Sequence, residues 1–236
     1  MTKIIGISGR KQAGKNTVAN FINGRVLKTM NMIDDFIINK YGQLEIKTKD
    51  QNGLGGWGVF DVTRKDLSYV NYAERELWPY IKVYHFADCL KQLCIDLFDL
   101  NPKQVYGTDN DKNTQTQYNG MTARQFLQYF GTDVMRKIKD DIWVSATIKK
   151  IVSEGSEIAL IPDVRFPNEV KAIHENGGTV IRLTRDIYTD NHPCECALDE
   201  SNFDWKKFDY VIDNNGSIND MCTDLSSIQE LWSVSC

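Results

Sequence analysis

A chain of 236 residues, 42% hydrophobic and 25% charged, can bury one substantial core and has the composition of an ordinary soluble globular protein. Its net charge of −4 excludes a global basic field of the kind that grips duplex DNA, and no apolar run is long enough to span a bilayer. The start of the chain lacks a signal-type apolar run, so the cytosol is the expected setting, and the six cysteines include no CxxC pair. Cys194-Glu195-Cys196 is a CxC with no matching second pair, so reduced, packing cysteines are expected in preference to a zinc site.

Lys3-Ile4-Ile5-Gly6-Ile7-Ser8 reads as a short buried strand. Gly9-Arg10-Lys11-Gln12-Ala13-Gly14-Lys15 follows, and Val18, Ala19, Phe21 and Ile22 then recur at helical spacing. A glycine-rich turn between a strand and a helix is the setting for a phosphate cradle. Its N–H groups point at phosphate oxygens, Lys15 neutralises the outer phosphates, and the helix N-terminus adds its positive end. The next residue in such a loop is Ser or Thr, whose hydroxyl reaches Mg²⁺; here it is Asn16, with Thr17 one place later. The Asn16 carbonyl oxygen is a hard ligand, weaker than a carboxylate, or a seat for metal-bound water. The Thr17 hydroxyl is turned away by about a quarter turn of helix. A working site with altered metal contacts is the expectation.

Residues 30–80 read as an insertion. Met30 to Lys40 extends the first helix or adds another, and Leu44–Lys47 and Trp57–Val62 flank Asn52-Gly53-Leu54-Gly55-Gly56 as a β-hairpin. Ile81–Phe86 reads as the second buried strand. It runs through Ala87-Asp88 into a helix with Leu90, Leu93, Cys94 and Leu97 on one face. A polar stretch spans 101–120. Thr122-Ala123-Arg124-Gln125 then has the form of a capping box, with Phe126, Leu127 and Phe130 facing the core and Gly131 interrupting the helix. Glu157–Asp163, Thr179–Leu183 and Tyr210–Asp213 complete five apolar strands, and a terminal helix runs through Leu225, Ile228 and Leu231. Strands interleaved with helices predict one α/β domain over 1–236, built on a five-stranded parallel sheet.

In such sheets ligands bind beyond the carboxyl ends of the strands, where the phosphate loop, Asp88 and Asp163 all fall. Asp163 is placed to orient Mg²⁺, directly or through water, or else to cap a turn. Asp88 is either an acceptor-side acid or the cap of the following helix.

The motifs resemble a family. Gly9 through Thr17, Phe86-Ala87-Asp88-Cys89-Leu90-Lys91, Leu127-Gln128-Tyr129-Phe130-Gly131-Thr132-Asp133 with Trp143-Val144, Pro162-Asp163-Val164-Arg165-Phe166-Pro167-Asn168-Glu169, and His192-Pro193-Cys194-Glu195 stand in the order found there. The chain is similar to the deoxynucleoside monophosphate kinases of tailed bacteriophages, within the P-loop nucleoside monophosphate kinase superfamily. Members often carry an acid or amide after the loop lysine, which makes Asn16 less anomalous. Cys89, where proline is common, and Cys194, where a small residue is common, are departures. The resemblance implies a P-loop NTPase fold with a lid. It also implies transfer of the ATP γ-phosphoryl group to a deoxynucleoside 5′-monophosphate, with Mg²⁺, giving a diphosphate for phage DNA synthesis in the host cytoplasm.

Under that reading Gly9, Arg10, Lys11, Gln12, Ala13, Gly14, Lys15, Asn16 and Thr17 bind ATP, and Asn16, Thr17 and Asp163 surround the metal. Lys15, Asp88 and Arg165 carry the catalysis. Asp88, Lys91, Arg124, Gln128, Asp133, Arg136 and Trp143 bind the acceptor. Arg124 and Gln128, at i,i+4, share a helix face, and arginines grip phosphate bidentately. Residues 184–201 correspond to the lid, with Arg182 and Arg185 flanking it and His192 and Glu195 within it. Neither a membrane nor strong nucleic-acid binding is implied, and a homodimer is compatible with the sequence. The rivals are a P-loop kinase for another acceptor, dephospho-coenzyme A or a modified base in DNA, and a nucleotide-binding switch or assembly ATPase. Tyr84, Phe86, Tyr129, Phe130 and Trp143 either stack on a base or fill the core.

Overall fold

The computed structural model describes residues 2–48, 55–187 and 192–232. The chain opens with β1 (Lys3–Ser8), α1 (Lys15–Thr29), β2 (Asp35–Ile38), β3 (Leu44–Lys47), β4 (Trp57–Val59) and α2 (Leu67–Glu76). It continues with β5 (Ile81–Val83), α3 (Ala87–Phe98), α4 (Pro102–Tyr106), α5 (Asp109–Lys112) and α6 (Ala123–Gln128), then a π-helical turn over Tyr129–Met135. After that come α7 (Arg136–Ile138), α8 (Ile142–Glu154), β6 (Ile158–Val164), α9 (Pro167–Glu175), β7 (Thr179–Leu183), α10 (Pro193–Cys196), β8 (Tyr210–Ile212), α11 (Ile218–Ser227) and α12 (Gln229–Trp232).

The five apolar strands form one sheet in the order β5-β6-β1-β7-β8, and every pairing is parallel. Helices cover both faces, so β1 at the centre is buried on each side and reads as a nearly continuous isoleucine run. Its side chains alternate between two cores. Ile5 and Ile7 pack with α1, α11 and Leu160 of β6, while Ile4 packs on the other face with Ile151 of α8 and Ile173 of α9. Because the strands are parallel, their carboxyl ends share one edge. A third cluster, built around Leu90, Cys94, Val105, Phe126 and Trp143, holds α3, α4, α6 and α8 together as a helical wall beside that edge.

Several expectations need correction. No helix occupies Met30–Lys40: α1 stops at Met30, Asn31 turns left-handed (φ 56°), and the chain enters β2. β2, β3 and β4 form a three-stranded antiparallel sheet whose inner face packs on α1, with Phe36 5.7 Å from Phe21 between ring centroids. The β3–β4 pair is the expected hairpin, though β4 ends at Val59 and Asn52-Gly53-Leu54 of its turn lie outside the described residues. Residues 188–191 of the expected lid also lie outside them.

Leu97 does not join the α3 core face; it is 67% exposed, and Phe98 takes the place, its ring against Phe126 and Phe130. The face runs 90, 94, 98 rather than 90, 94, 97, and both spacings are helical. The Thr122–Gln125 capping box is present. Gly131 does not end the helix. The backbone widens into the π turn there, and Gly131 abuts α3 so closely that a Cβ would run into Leu90. The polar stretch contains two short capped helices, α4 and α5, and the terminal helix divides at Ile228.

Candidate active site

The loop between β1 and α1 wraps around its own lysine. Gly14 precedes α1 with φ 94°, a left-handed value that glycine adopts without strain. Lys15 Nζ donates to the carbonyls of Gly9 and Arg10, each at 2.7 Å. Burial, with the Arg165 cation nearby, pulls the Lys15 ammonium down to about 7, against the opposing pull of Glu195 and Asp163. Asn214, just past β8, braces the loop: its amide donates to the Ala13 carbonyl at 2.5 Å and accepts the Arg185 N–H at 3.0 Å.

A cleft of about 560 Å³ opens over this loop, within the range of roughly 300–1,000 Å³ usual for small-molecule sites. Lys11, Gln12, Gly14, Lys15, Asn16 and Thr17 line one side. The other side is the helical wall: Lys91 of α3, Arg124 and Gln128 of α6, Gly131 and Thr132 of the π turn, Arg136 of α7 and Trp143 of α8. Asp163, Arg165 and Glu169 close the back, with Glu195 of α10 above them. Asn16 is exposed at the loop rim, while Thr17 packs against Gly42 of the β2–β3 turn so tightly that a Cβ on Gly42 would meet its hydroxyl.

Cations and carboxylates are interleaved. Arg165 pairs with Glu195, whose other oxygen accepts the Lys11 N–H at 3.1 Å. Arg136 pairs with Glu169 and lies over the Phe166 ring, 4.0 Å from its centroid. Burial pushes the Glu169 carboxyl up to about 7, although Arg136 and the N–H groups of Arg165 and Phe166 all favour its charged form. Lys11 and Arg124 share Asp109 of α5. The Asp163 carboxylate accepts N–H groups from Phe86 at 3.0 Å and Ala87 at 3.2 Å, tying the end of β6 to the start of α3.

Not every expected residue reaches the cleft. Asp88 does not line it: Ala87, Leu90 and Lys91 form the inward face of α3, and Asp88 falls one position off that face. Its carboxylate lies 3.5 Å from His85 Nδ1. Burial favours the protonated acid, but His85, Lys91 and Lys65 outweigh it and pull Asp88 down to about 2. His85, absent from the sequence reading, lines the cleft instead. Asp133 and His192 line an adjoining hollow, which Gln128 shares with the main cleft. Trp143 reaches the cleft from the core, 3% exposed, with its indole N–H committed to the Gly131 carbonyl at 3.0 Å.

Arg10 turns away from the cleft to Asp199 at 2.5 Å and Asp186 at 3.4 Å. Arg182 is 5% exposed within β7, bonded to Ser8 and Asp199, which makes it a fixed brace and no part of a hinged flap. Arg185 meets the loop through Asn214 and not through its own cation.

The arrangement has the charge pattern of a site for two anions, one on the loop and one against the wall. The chain matches the family model described as deoxynucleotide monophosphate kinase over residues 3–225. It belongs to that family. Among relatives of this kinase, a protein of Acanthamoeba polyphaga mimivirus, provisionally named as a deoxynucleotide monophosphate kinase, is 34% identical over 60% of this chain and 79% of its own. The deoxynucleotide monophosphate kinase of Enterobacteria phage T4 is 25% identical over 93% of this chain and 95% of its own. The deoxynucleoside-5′-monophosphate kinase of Escherichia phage T5 is 25% identical over 74% and 73%. This kinase is therefore a phosphotransferase. Among its described residues no helix is long and apolar enough to cross a membrane.

Proposed function

We propose that the chain transfers the γ-phosphoryl group of ATP to a deoxynucleoside 5′-monophosphate, and that the single cleft receives both. The observation that carries the reading is the meeting of Lys15 and its loop with Arg124, Arg136 and Arg165 around one cavity. Phosphoryl transfer between two anions needs positioning and charge neutralisation above all, and these cations supply both. Gly9 through Thr17 cradle the donor phosphates, and Lys15 grips the outer ones. Arg124, Arg136 and Lys91, joined by the Lys11 ammonium at the loop's edge, receive the acceptor's phosphate, with Gln128 and Trp143 bounding the rest of the molecule. Arg165, between the two halves, steadies the transferring group. His85 faces the acceptor with Asp88 behind it.

The donor set fits Mg²⁺. Asn16 and Asp163 bring hard oxygens to one cleft, and each Asp163 oxygen has a lone pair beyond the N–H bond it accepts. The Thr17 hydroxyl is turned toward Gly42, so Asn16 and Asp163 are the better holders, directly or through water. A metal held there would supply neutralisation of the donor's phosphate charge. Residues 30–80 are an insertion that buttresses α1. Residues 184–201 are the lid, latched by Glu195 to Arg165 and the Lys11 N–H. The product feeds DNA synthesis in the host cytoplasm.

The test is a panel of deoxynucleoside monophosphates, dephospho-coenzyme A and DNA, each offered γ-labelled ATP and Mg²⁺. Labelled deoxynucleoside diphosphate is expected. Absence of transfer to every monophosphate rejects the reading.

A further inference from the structure

Among the described residues, Glu169, Glu195 and Asp109 each hold cations of the cleft, and they are not equally fixed. Glu169 is 1% exposed and accepts two backbone N–H groups besides pairing with Arg136. The Glu195 side chain is 7% exposed and accepts the Lys11 N–H besides pairing with Arg165. Asp109 differs from both. Its side chain is 51% exposed, and it stands on the four-residue helix α5, outside the cores of the sheet. Its Oδ2 meets Lys11 Nζ at 3.0 Å and its Oδ1 meets Arg124 at 2.7 Å. Lys11 belongs to the phosphate loop and Arg124 to the wall, so this one exposed carboxylate spans the seam between them.

Two cations converging on one small anion also describe how a phosphate is gripped. A carboxylate offers one charge and two oxygens, whereas a phosphate monoester offers nearly two charges and three oxygens at neutral pH. We propose that Asp109 is an internal competitor of the acceptor's phosphate: it occupies the Lys11–Arg124 clamp, keeps the two cations together and aimed at the cleft, and yields when the monophosphate arrives. The acceptor's apparent affinity is then the difference between two occupants of one clamp. Arg124 does not lose its bearing when Asp109 leaves, because Asn113 Oδ1 also accepts from it at 3.1 Å. This inference rests on the reading that a deoxynucleoside monophosphate enters the cleft opposite the loop.

The experiment compares wild type, Asp109→Asn, Asp109→Ser and Asp109→Glu at saturating ATP and Mg²⁺. It measures KM for the monophosphate and the concentration at which inorganic phosphate inhibits. Removing the exposed charge is expected to lower both by roughly fivefold in the Asn and Ser variants, the scale of exposed ion pairs. Asp109→Glu, which keeps the carboxylate, stays near wild type. Inactive wild type would reject the function itself and not this inference. With wild type active, an unchanged or raised KM in both Asn and Ser variants, at wild-type melting temperature, overturns the inference: Asp109 would then be holding Arg124 for the substrate. The phosphate readout separates competition from a structural role, because a packing defect does not sharpen inhibition by a free anion.

Discussion

The phosphate loop and the helical wall face each other across one cleft, yet they are built in opposite ways. The loop is a run of consecutive residues, shaped by Gly14 and braced from outside by Asn214, and its proposed contacts to phosphate come mostly from its own backbone. The wall is assembled from side chains on α3, α5, α6, the π turn, α7 and α8, with Arg165 and Glu169 arriving from beyond β6. Damage to the loop therefore acts directly on chemistry. Damage to the wall acts first on packing, and through packing on where the cations point.

The largest expected effect tests the loop. Lys15→Met removes the phosphate-facing ammonium and should slow transfer by about a thousandfold, the scale of losing one preorganised charge donor. The same change should leave the melting temperature no lower than in wild type, since it replaces an ammonium whose charge burial disfavours. A variant that melts early would mean that the Gly9 and Arg10 carbonyls depend on Lys15 for the fold.

The next effect tests the wall. Gly131→Ala drives a Cβ into Leu90 and should destabilise by about 1–3 kcal/mol, read by thermal melting. KM for the monophosphate should rise severalfold while KM for ATP stays level. Equal rises in both would erase the distinction between the two halves.

A smaller effect depends on pH. Glu169 has a folded pKa of about 7 against an ordinary 4.5, so the folded state holds more protons between those values and stability falls as pH rises through that window. Glu169→Gln, which mimics the protonated acid, should therefore gain on wild type in melting temperature between pH 5 and pH 8. A gap that stays constant, or moves the other way, would show that Arg136 and the two N–H groups outweigh burial.

The smallest effect returns to the loop. Asn16→Ala should raise the Mg²⁺ concentration for half-maximal rate by roughly two- to tenfold, the worth of one polar contact. An unchanged Mg²⁺ titration would pass that contact to water or to Thr17.

The contrast also explains what was readable. β1, β6 and β7 stood out as apolar runs because the middle of a parallel sheet covered on both faces leaves little solvent side, and the edge strands β5 and β8 stood out as short apolar runs although Val211 of β8 is exposed. The phosphate loop stood out because its glycines, its lysine and the flanking strand and helix are adjacent in sequence. The Thr122 box was legible for the same reason: a cap and its partner lie three residues apart. The wall was legible only as a set of candidate cations. Asp88 was taken as the acceptor-side acid, whereas His85, just before α3 and never a candidate, is the one that lines the cleft. Phe98 replaced Leu97 in the core because both sit at helical spacings from Leu90, and only the rings of Phe126 and Phe130 choose between them.

The sequence by itself determined the parallel sheet and a phosphate-type loop at the edge of that sheet, while the chemistry of a kinase came from resemblance to a family. The sheet and the loop depend on local periodicity and on groups that are neighbours along the chain. Only the tertiary structure decided that Arg10 and Arg182 are braces, that Asp163 ties β6 to α3, and that Glu169, Glu195 and Asp109 each hold cations of the cleft. A charge finds its partner through the topology that brings distant segments together, and that pairing has no signature in the spacing of residues.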